Sequence, residues 1–204
     1  GEFFLYPYWK QLYSYLIEHN YYPLLSTKIC LKESDIKFLS DNKCTQLQFS
    51  LDSLIPKTLN RMLGVNDRYV NNVKATLSLL DKYGIKVAIH SILTQKNSTE
   101  KDFTSIFEFI NNLSNILYWK PDLGAESVYV NESIRGTIAP SKSAQASILL
   151  LCNNLQEKAN FPILSSGLDE IDASSTINTW AKFNERSVCA GNYLQLFVLP
   201  DGNV

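Results

Sequence analysis

The chain has 204 residues and a formal net charge of −1, so its electrostatics call for neither a nucleic-acid backbone nor an anionic membrane surface as partner. Hydrophobic residues make up 45% and aromatic residues 12%, which excludes a disordered chain and allows one sizeable core in one or two domains. No apolar run approaches the roughly 18 residues of a membrane span, no secretory leader pattern stands at the start, and the scattered cysteines Cys30, Cys44, Cys152 and Cys189 fit a reducing, cytoplasmic compartment better than a disulfide scaffold.

In chain order, Pro7 precedes a helical run in which Trp9, Leu12, Tyr13, Leu16 and Ile17 share one face. His19-Asn20 ends it. Tyr22–Thr27 reads as a short apolar strand that stops on Ser26 and Thr27, and Glu33–Leu39 as a short helix with Ser34 and Asp35 near its start. The stretch that organises the chain is Gln46–Ser53. Leu47, Phe49 and Leu51 alternate there with Gln46, Gln48, Ser50 and Asp52, the period of a strand that ends on small polar groups. Pro56 breaks the pattern, and Thr58–Met62 is helical. Asp67 is placed to cap a long helix from Arg68 to about Lys82, with Val70, Val73, Leu77 and Leu80 as its apolar stripe and Gly84 as its stop. Ile85–Leu93 is a buried strand with Thr94–Asn97 at its edge, and Thr99–Asp102 opens a helix over Phe103–Leu113.

From Asn115 the pattern loosens. Ile116–Trp119 and Ser127–Val130 read as short strands, and Pro140-Ser141 starts a helix that holds Ala144, Ile148, Leu149 and Leu151. Phe161–Leu164 is strand-like, and a further helix runs from Asp172 to about Asn184. Arg186–Asn192 is a tight loop, Leu194–Leu199 a strand and Pro200-Asp201-Gly202 a turn with a hairpin signal.

Strands alternating with helices predict an α/β fold with a parallel sheet and helices outside it, and a different, hairpin-like structure after about Arg186. Three successive strands end on polar groups: Ser26-Thr27, Ser50–Asp52 and Thr94–Asn97. Open α/β sheets and α/β barrels bind ligands at that carboxyl edge. Two readings stand for these groups. They line a pocket, or they terminate buried strands and cap the helices that follow; Asp52 in particular reads either way.

Several of these stretches, in this order, resemble the radical S-adenosylmethionine (SAM) superfamily with a SPASM-type C-terminal extension. Gly1-Glu2 with Leu5-Tyr6-Pro7 resembles the end of the family's G-G-E-P motif, and Ser26-Thr27 its S-T-N strand edge. Gln48–Asp52 is similar to the fourth strand's I-S-L-D, Ile92–Asn97 to the end of the fifth strand, and Cys189 with Gly202 to the first half of the SPASM pattern. The resemblance implies a partial, open (β/α)₆ TIM-like barrel over 1–185 and the start of an auxiliary-cluster segment over 186–204. It implies a parent enzyme that cleaves SAM to a 5′-deoxyadenosyl radical and modifies a peptide or protein. Under it Glu2 accepts from the SAM amino group, Ser50 donates to the SAM carboxylate, Arg61 is a second partner for that carboxylate, and Asn97 contacts the ribose or carboxylate. Thr27 and Asp52 complete the cofactor edge, and Cys189 is a ligand of a possible auxiliary 4Fe–4S cluster.

The departures are equally specific. The superfamily's C-x-x-x-C-x-x-C, whose thiolates hold the catalytic 4Fe–4S cluster, is absent from these residues, as is the motif's proline, replaced by Phe3. Lys28 stands where the family often has Asn, and the second SPASM cysteine falls past Val204. The chain is therefore expected to be an inactive fragment of a longer enzyme; the alternative is a barrel without a cluster that binds a peptide or partner. Gly1-Glu2-Phe3 has a second reading as a cloning scar, under which Glu2 carries no role. Cys189 also reads as a plain thiol, Cys30, Cys44 and Cys152 as inert core thiols, His90 as a hydrogen-bonded interior histidine, and His19 as a partner of its helix's last carbonyls. A sheet edge left bare by missing strands is expected to pair with a second copy or to be covered by the aromatic N-terminal segment.

Overall fold

A computed structural model describes residues 2–124, 138–165 and 168. After a 3₁₀ turn at Phe3–Leu5 the chain runs α1 (Trp9–Glu18), β1 (Leu25–Thr27), α2 (Glu33–Asp41), β2 (Gln46–Ser50), α3 (Pro56–Leu63), α4 (Arg68–Lys82), β3 (Lys86–Leu93), α5 (Glu100–Ile110), β4 (Ile116–Leu123) and α6 (Lys142–Gln156). The strands form one four-stranded sheet in the order β1-β2-β3-β4, every pair parallel. Each parallel step needs a crossover, and a helix supplies it. Ile163 adds an isolated parallel bridge to Trp119 beyond β4, which is what the strand-like Phe161–Leu164 becomes. The hairpin extension expected after residue 185, the helix from Asp172 and the strand at Ser127–Val130 lie outside the described residues.

Register divides the sheet into two faces. Leu25, Leu47 and Val87 are paired across the strands, as are Thr27, Phe49, Ile89 and Trp119. All are buried. The apolar ones join Ile36 and Leu39 of α2, Leu59 of α3, Val73, Leu77 and Leu80 of α4 and Phe103, Ile106 and Ile110 of α5 in a single core. The alternate residues, Gln48 with Ala88, and Ser50 with His90 and Lys120, contribute nothing to that core. This second face, opposite the helices, is called the inner face below.

Buried polar groups tie the core to the strand ends. The Trp119 indole N–H donates to Ser91 Oγ at 2.9 Å, and the Ser91 hydroxyl donates to the Leu51 carbonyl at 2.5 Å. Phe103 stacks on Trp119 with centroids 4.2 Å apart. Thr99 caps α5 by accepting from the Asp102 N–H at 3.1 Å, and the Asp102 carboxylate accepts from Thr99 at 2.5 Å and from Ser53 at 2.6 Å. This is an N-cap whose third-position carboxylate also reaches the exit of β2.

The structure differs from the sequence expectations at several boundaries. β1 begins only at Leu25, past Pro23, since proline cannot donate to a ladder. β4 is eight residues long rather than four and runs through Lys120-Pro121-Asp122. The Trp119 N–H and C=O both bond outward, to Pro162 and from Leu164. Pro121, two residues on, turns its nitrogen to that same outer side and removes no bond to β3. Asp67 precedes α4 without a side-chain cap bond; the Asn66 carboxamide accepts from the Arg68 N–H at 3.1 Å instead. On α1, Trp9 and Tyr13 are buried whereas Leu12 is exposed. No described helix is long and apolar enough to cross a membrane. Tyr6, Tyr8, Tyr21, Tyr22 and Leu24 are exposed along the segments that flank the end strand β1, and the turn Phe3–Leu5 lies against that strand.

Gly84 follows α4 at φ +70°, and a Cβ built on it meets nothing within 4 Å. The only penalty for a side chain there is the left-handed backbone, about 1–2 kcal/mol. Gly84→Ala should therefore lower the urea unfolding free energy by about that amount with no change in the denaturant slope.

Candidate functional site

The carboxyl ends of β1 and β2 gather charge beside the N-terminal turn. Glu2 Oε2 accepts from the Lys28 N–H at 3.4 Å, while Glu2 Oε1 is buried with no hydrogen-bond partner among the described residues. The Tyr69 hydroxyl, from the first turn of α4, donates to the Lys28 carbonyl at 2.8 Å. Its pKa is pushed up to about 12, first by burial and then by the negative charges of Cys30, Asp52 and Glu2. Those groups therefore share one neighbourhood with Tyr69.

Asp52, just past β2, accepts from the Ile92 N–H through Oδ1 at 2.8 Å. Burial raises its carboxyl above the ordinary 3.8, opposed by the Ile92 N–H bond and by Lys28 and His90. It does not cap α3. Pro56 occupies the first turn of that helix, and Ser53 Oγ accepts from the Ile55 N–H at 3.0 Å. Asp52 instead extends the β2–β3 ladder by one side-chain bond. Ser50 lies on the inner face opposite His90 and is half-buried; its hydroxyl has no partner among the described residues.

The remaining expected site residues go elsewhere. Thr27 is in register with Phe49 on the helix face and is buried; its hydroxyl oxygen accepts from the Ile29 N–H at 2.9 Å and turns the chain out of β1. Asn97 is 1% exposed. Its carboxamide oxygen accepts from the Thr94 N–H at 2.7 Å and the Thr94 hydroxyl at 2.9 Å, and its nitrogen donates to Asp52 O at 2.7 Å and Ile92 O at 2.9 Å. With two acceptor and two donor sites so filled, Asn97 cannot also contact a ribose or carboxylate. It is a clamp that fixes the ends of β2 and β3. Arg61 donates from its guanidinium to the Lys96 carbonyl, and Lys96 Nζ donates to the Arg61 carbonyl at 3.3 Å, so the arginine joins α3 to the β3–α5 loop. Ser50, Thr27 and Asn97 therefore do not meet in one pocket, whereas Glu2 and Asp52 do share a neighbourhood. Cys189 lies outside the described residues.

One group was not singled out by the sequence reading. On the inner face, His90 Nε2 lies 2.7 Å from Asp122 Oδ2, Lys120 Nζ 2.9 Å from the same oxygen, and Gln48 Nε2 3.3 Å from His90 Nδ1. Period-two alternation carried through Tyr118, Lys120 and Asp122 on one side and Trp119, Pro121 and Leu123 on the other would have found it. His90 is hydrogen-bonded, as read from its position in AIHSI, but half-buried rather than interior. His19 Nδ1 lies 2.8 Å from the Tyr15 carbonyl at the end of α1. Burial is the largest influence on the thiols of Cys30 and Cys44 and pushes both up, away from the thiolate that binds metal. Among the described residues no three His, Cys, Asp or Glu side chains are grouped to hold a metal ion.

No protein-family model matches the chain, and no curated protein matches it. Solved structures do. Streptococcus suis SuiB, crystallised with S-adenosylmethionine, matches with a TM-score of 0.60 at 16% identity, over 80% of this chain and 36% of that one. A domain of pyruvate-formate lyase-activating enzyme from Bacteroides vulgatus ATCC 8482 matches with a TM-score of 0.60 at 14% identity, over 80% of this chain and 94% of that one. TYW1, solved with a lysine-pyruvate adduct bound, matches with a TM-score of 0.55 at 20% identity, over 78% of this chain and 48% of that one. The chain thus spans about a third of SuiB and about half of TYW1. At such identities the likeness establishes the fold: an α/β arrangement of parallel strands and outer helices, a partial TIM-like barrel that does not close.

The raised carboxyl of Asp52 gives a signed pH dependence. The folded protein holds the Asp52 proton more tightly than the unfolded chain does. The stability that protonation provides is complete below 3.8 and is lost as pH rises through the raised value. Asp52→Asn keeps an acceptor for the Ile92 N–H and cannot ionise. Its urea midpoint should exceed that of the wild type at neutral pH, and the gap should close as both proteins are taken down towards pH 4. A gap independent of pH would show that ionisation is not its cause.

Proposed function

We propose that this chain is the SAM-binding core of a radical SAM enzyme that modifies a peptide or protein. Three independent lines support the reading: the ordered motifs from Glu2 to Asn97, the likeness in fold to a protein crystallised with S-adenosylmethionine, and the chemistry of the β1–β2 edge. The observation that carries it is Glu2 Oε1, a carboxylate oxygen buried without a partner among the described residues. A buried unpaired acceptor is costly, and a ligand ammonium is the group that relieves it. SAM has such an ammonium, next to a carboxylate that the unpaired Ser50 hydroxyl is suited to meet.

In this reading SAM, when bound, would be the source of radical chemistry at the substrate. The residues of this chain bind and orient it. Glu2 takes the ammonium and Ser50 donates to the carboxylate. Asp52, Thr27 and Asn97 hold the strand ends so that these contacts are preorganised, and Arg61 ties α3 to the β3–α5 loop. The 4Fe–4S cluster does not fit the described residues, which hold no ligand triad and whose Cys30 and Cys44 thiols are shifted away from ionisation. The cluster's cysteines belong, on this proposal, to other parts of a longer cytoplasmic protein, with Cys189 as a ligand of an auxiliary cluster. The same observation favours the second reading, a barrel without a cluster that holds a peptide or partner.

Calorimetric titration of SAM into the chain separates the two. SAM should bind, and Glu2→Gln should weaken it about ten-fold, the worth of one charge-assisted hydrogen bond; Ser50→Ala should weaken it less. No heat from SAM at millimolar concentration, or an affinity indifferent to Glu2→Gln, would overturn the SAM site and leave the partner-binding barrel.

A further inference from the structure

The inner-face chain Gln48–His90–Asp122–Lys120 is used by nothing described so far. It crosses three adjacent strands, β2, β3 and β4, and every contact in it has one chemical direction. A carboxamide nitrogen can only donate, so at 3.3 Å from Gln48 Nε2 the His90 Nδ1 must be the acceptor. A carboxylate can only accept, so at 2.7 Å from Asp122 Oδ2 the His90 Nε2 must carry the hydrogen. Both contacts select the same tautomer. Lys120 donates to that same carboxylate oxygen at 2.9 Å, which fixes the group that fixes the ring. An imidazole whose N–H is held by a carboxylate, and whose other nitrogen offers its lone pair, is the arrangement of an oriented proton acceptor. Among the described residues the lone pair is covered only by the long contact from Gln48.

Its position suits the role. Ser50 is the register partner of His90, so His90 stands one strand, about 4.8 Å, from the inner-face end of the proposed SAM site. The charged groups about it are Asp52 from the end of β2, which itself feels Lys28 from the end of β1, and Lys120 and Asp122 from β4; Gln48, Ser50 and Tyr118 add polar groups on the same face.

We propose that His90 is a general base on the inner face, oriented by Asp122 and Lys120, that takes a proton from an N–H or O–H group of a reactant bound on that face. The reactant displaces Gln48 from Nδ1. Its proton passes to Nδ1, and the electron pair of the broken bond stays on the reactant's nitrogen or oxygen. His90 becomes an imidazolium whose charge faces Asp122 through Nε2–H, and solvent takes the proton afterwards. Asp122 is a positioning residue in this scheme. The inference rests on the inner-face geometry and not on SAM binding, so the failure of either leaves the other standing.

The chain has only two histidines, and they are placed as opposites. His19 Nδ1 faces the Tyr15 carbonyl, which can only accept, so neutral His19 carries its hydrogen on Nδ1. Long-range proton–nitrogen correlation spectra of the histidine-labelled chain at pH 8 should show one Nε2–H ring, His90, and one ring of the other form. Diethyl pyrocarbonate, which acylates unprotonated imidazole nitrogen, then reads the lone pair, with His19 as internal reference and peptide mass spectrometry as readout. Gln48→Leu should keep the Nε2–H tautomer and speed modification of His90 severalfold. Asp122→Asn should mix the tautomers and slow it severalfold, the spectroscopic change being one that a purely structural Asp122 would not cause. An Nδ1–H tautomer at His90, or a His90-to-His19 rate ratio unmoved by Gln48→Leu, would overturn the proposal. Should Asp122→Asn fail to fold, Gln48→Leu and the wild-type tautomer still decide it.

Discussion

Parallel pairing of β2 with β3 in a single register is the constraint on which the rest depends. With a side-chain period of two, fixing Phe49 against Ile89 also fixes Ser50 against His90, and a slip of one residue would exchange the buried and polar rows. The helices enforce the choice. Val73, Leu77 and Leu80 on α4 and Phe103, Ile106 and Ile110 on α5 form one core with Leu47, Phe49, Val87 and Ile89. The reverse register would put Gln48 and His90 into that core unsatisfied and expose the aliphatic residues. A polar inner face is therefore a consequence of burying the other one, and any chemistry the fold performs there inherits its geometry from apolar packing.

The strand ends need a second device, because the ladder stops at Ser50 in β2 while β3 continues to Leu93. Asp52 bonds the Ile92 N–H, and Asn97 bonds both Asp52 O and Ile92 O. Together they replace the missing backbone rungs with side-chain ones. Hydrogen bonds of this kind contribute about 1 kcal/mol each when made and cost more when half-broken, so their value here lies in holding position. Of the residues that resemble a cofactor edge in sequence, Asn97 is fully spent on that task, while Thr27 turns the chain out of β1.

This explains which parts were legible in the sequence. Leu47-Phe49-Leu51 and the Val70-Val73-Leu77-Leu80 stripe announced β2 and α4 because each has one buried face and a clean period. Gly84 marked the end of α4 because only glycine takes the left-handed turn there at no cost. β4 was read at half its length because Lys120-Pro121-Asp122 looks like a loop until its alternate residues are assigned to two different environments. Asn66 and Asp67 could not be ranked as caps from residue type alone, since both carry a side-chain oxygen and only backbone geometry separates them. For the site, residue type marked the neighbourhood but not the direction of each side chain. Thr27 and Ser50 end adjacent strands, yet one residue of register places them on opposite faces.

Two carboxylates remain that the fold itself does not need in their present form. Asp52 has its pKa raised by burial and would serve the ladder equally well as an asparagine. Glu2 keeps one oxygen buried and, among the described residues, unpaired. Glu2 departs from the rule that buried polar atoms are satisfied, and both carboxylates lie within electrostatic reach of Tyr69. The same fold satisfies Asn97 four times over and links Ser53, Asp102 and Thr99. Both carboxylates stand at the carboxyl edge of β1 and β2, whereas the other buried oxygen without a partner among the described residues, Asn115 Oδ1, belongs to a neutral carboxamide just before β4. Unspent negative charge is what a site for a cationic ligand requires, and it is destabilising anywhere else.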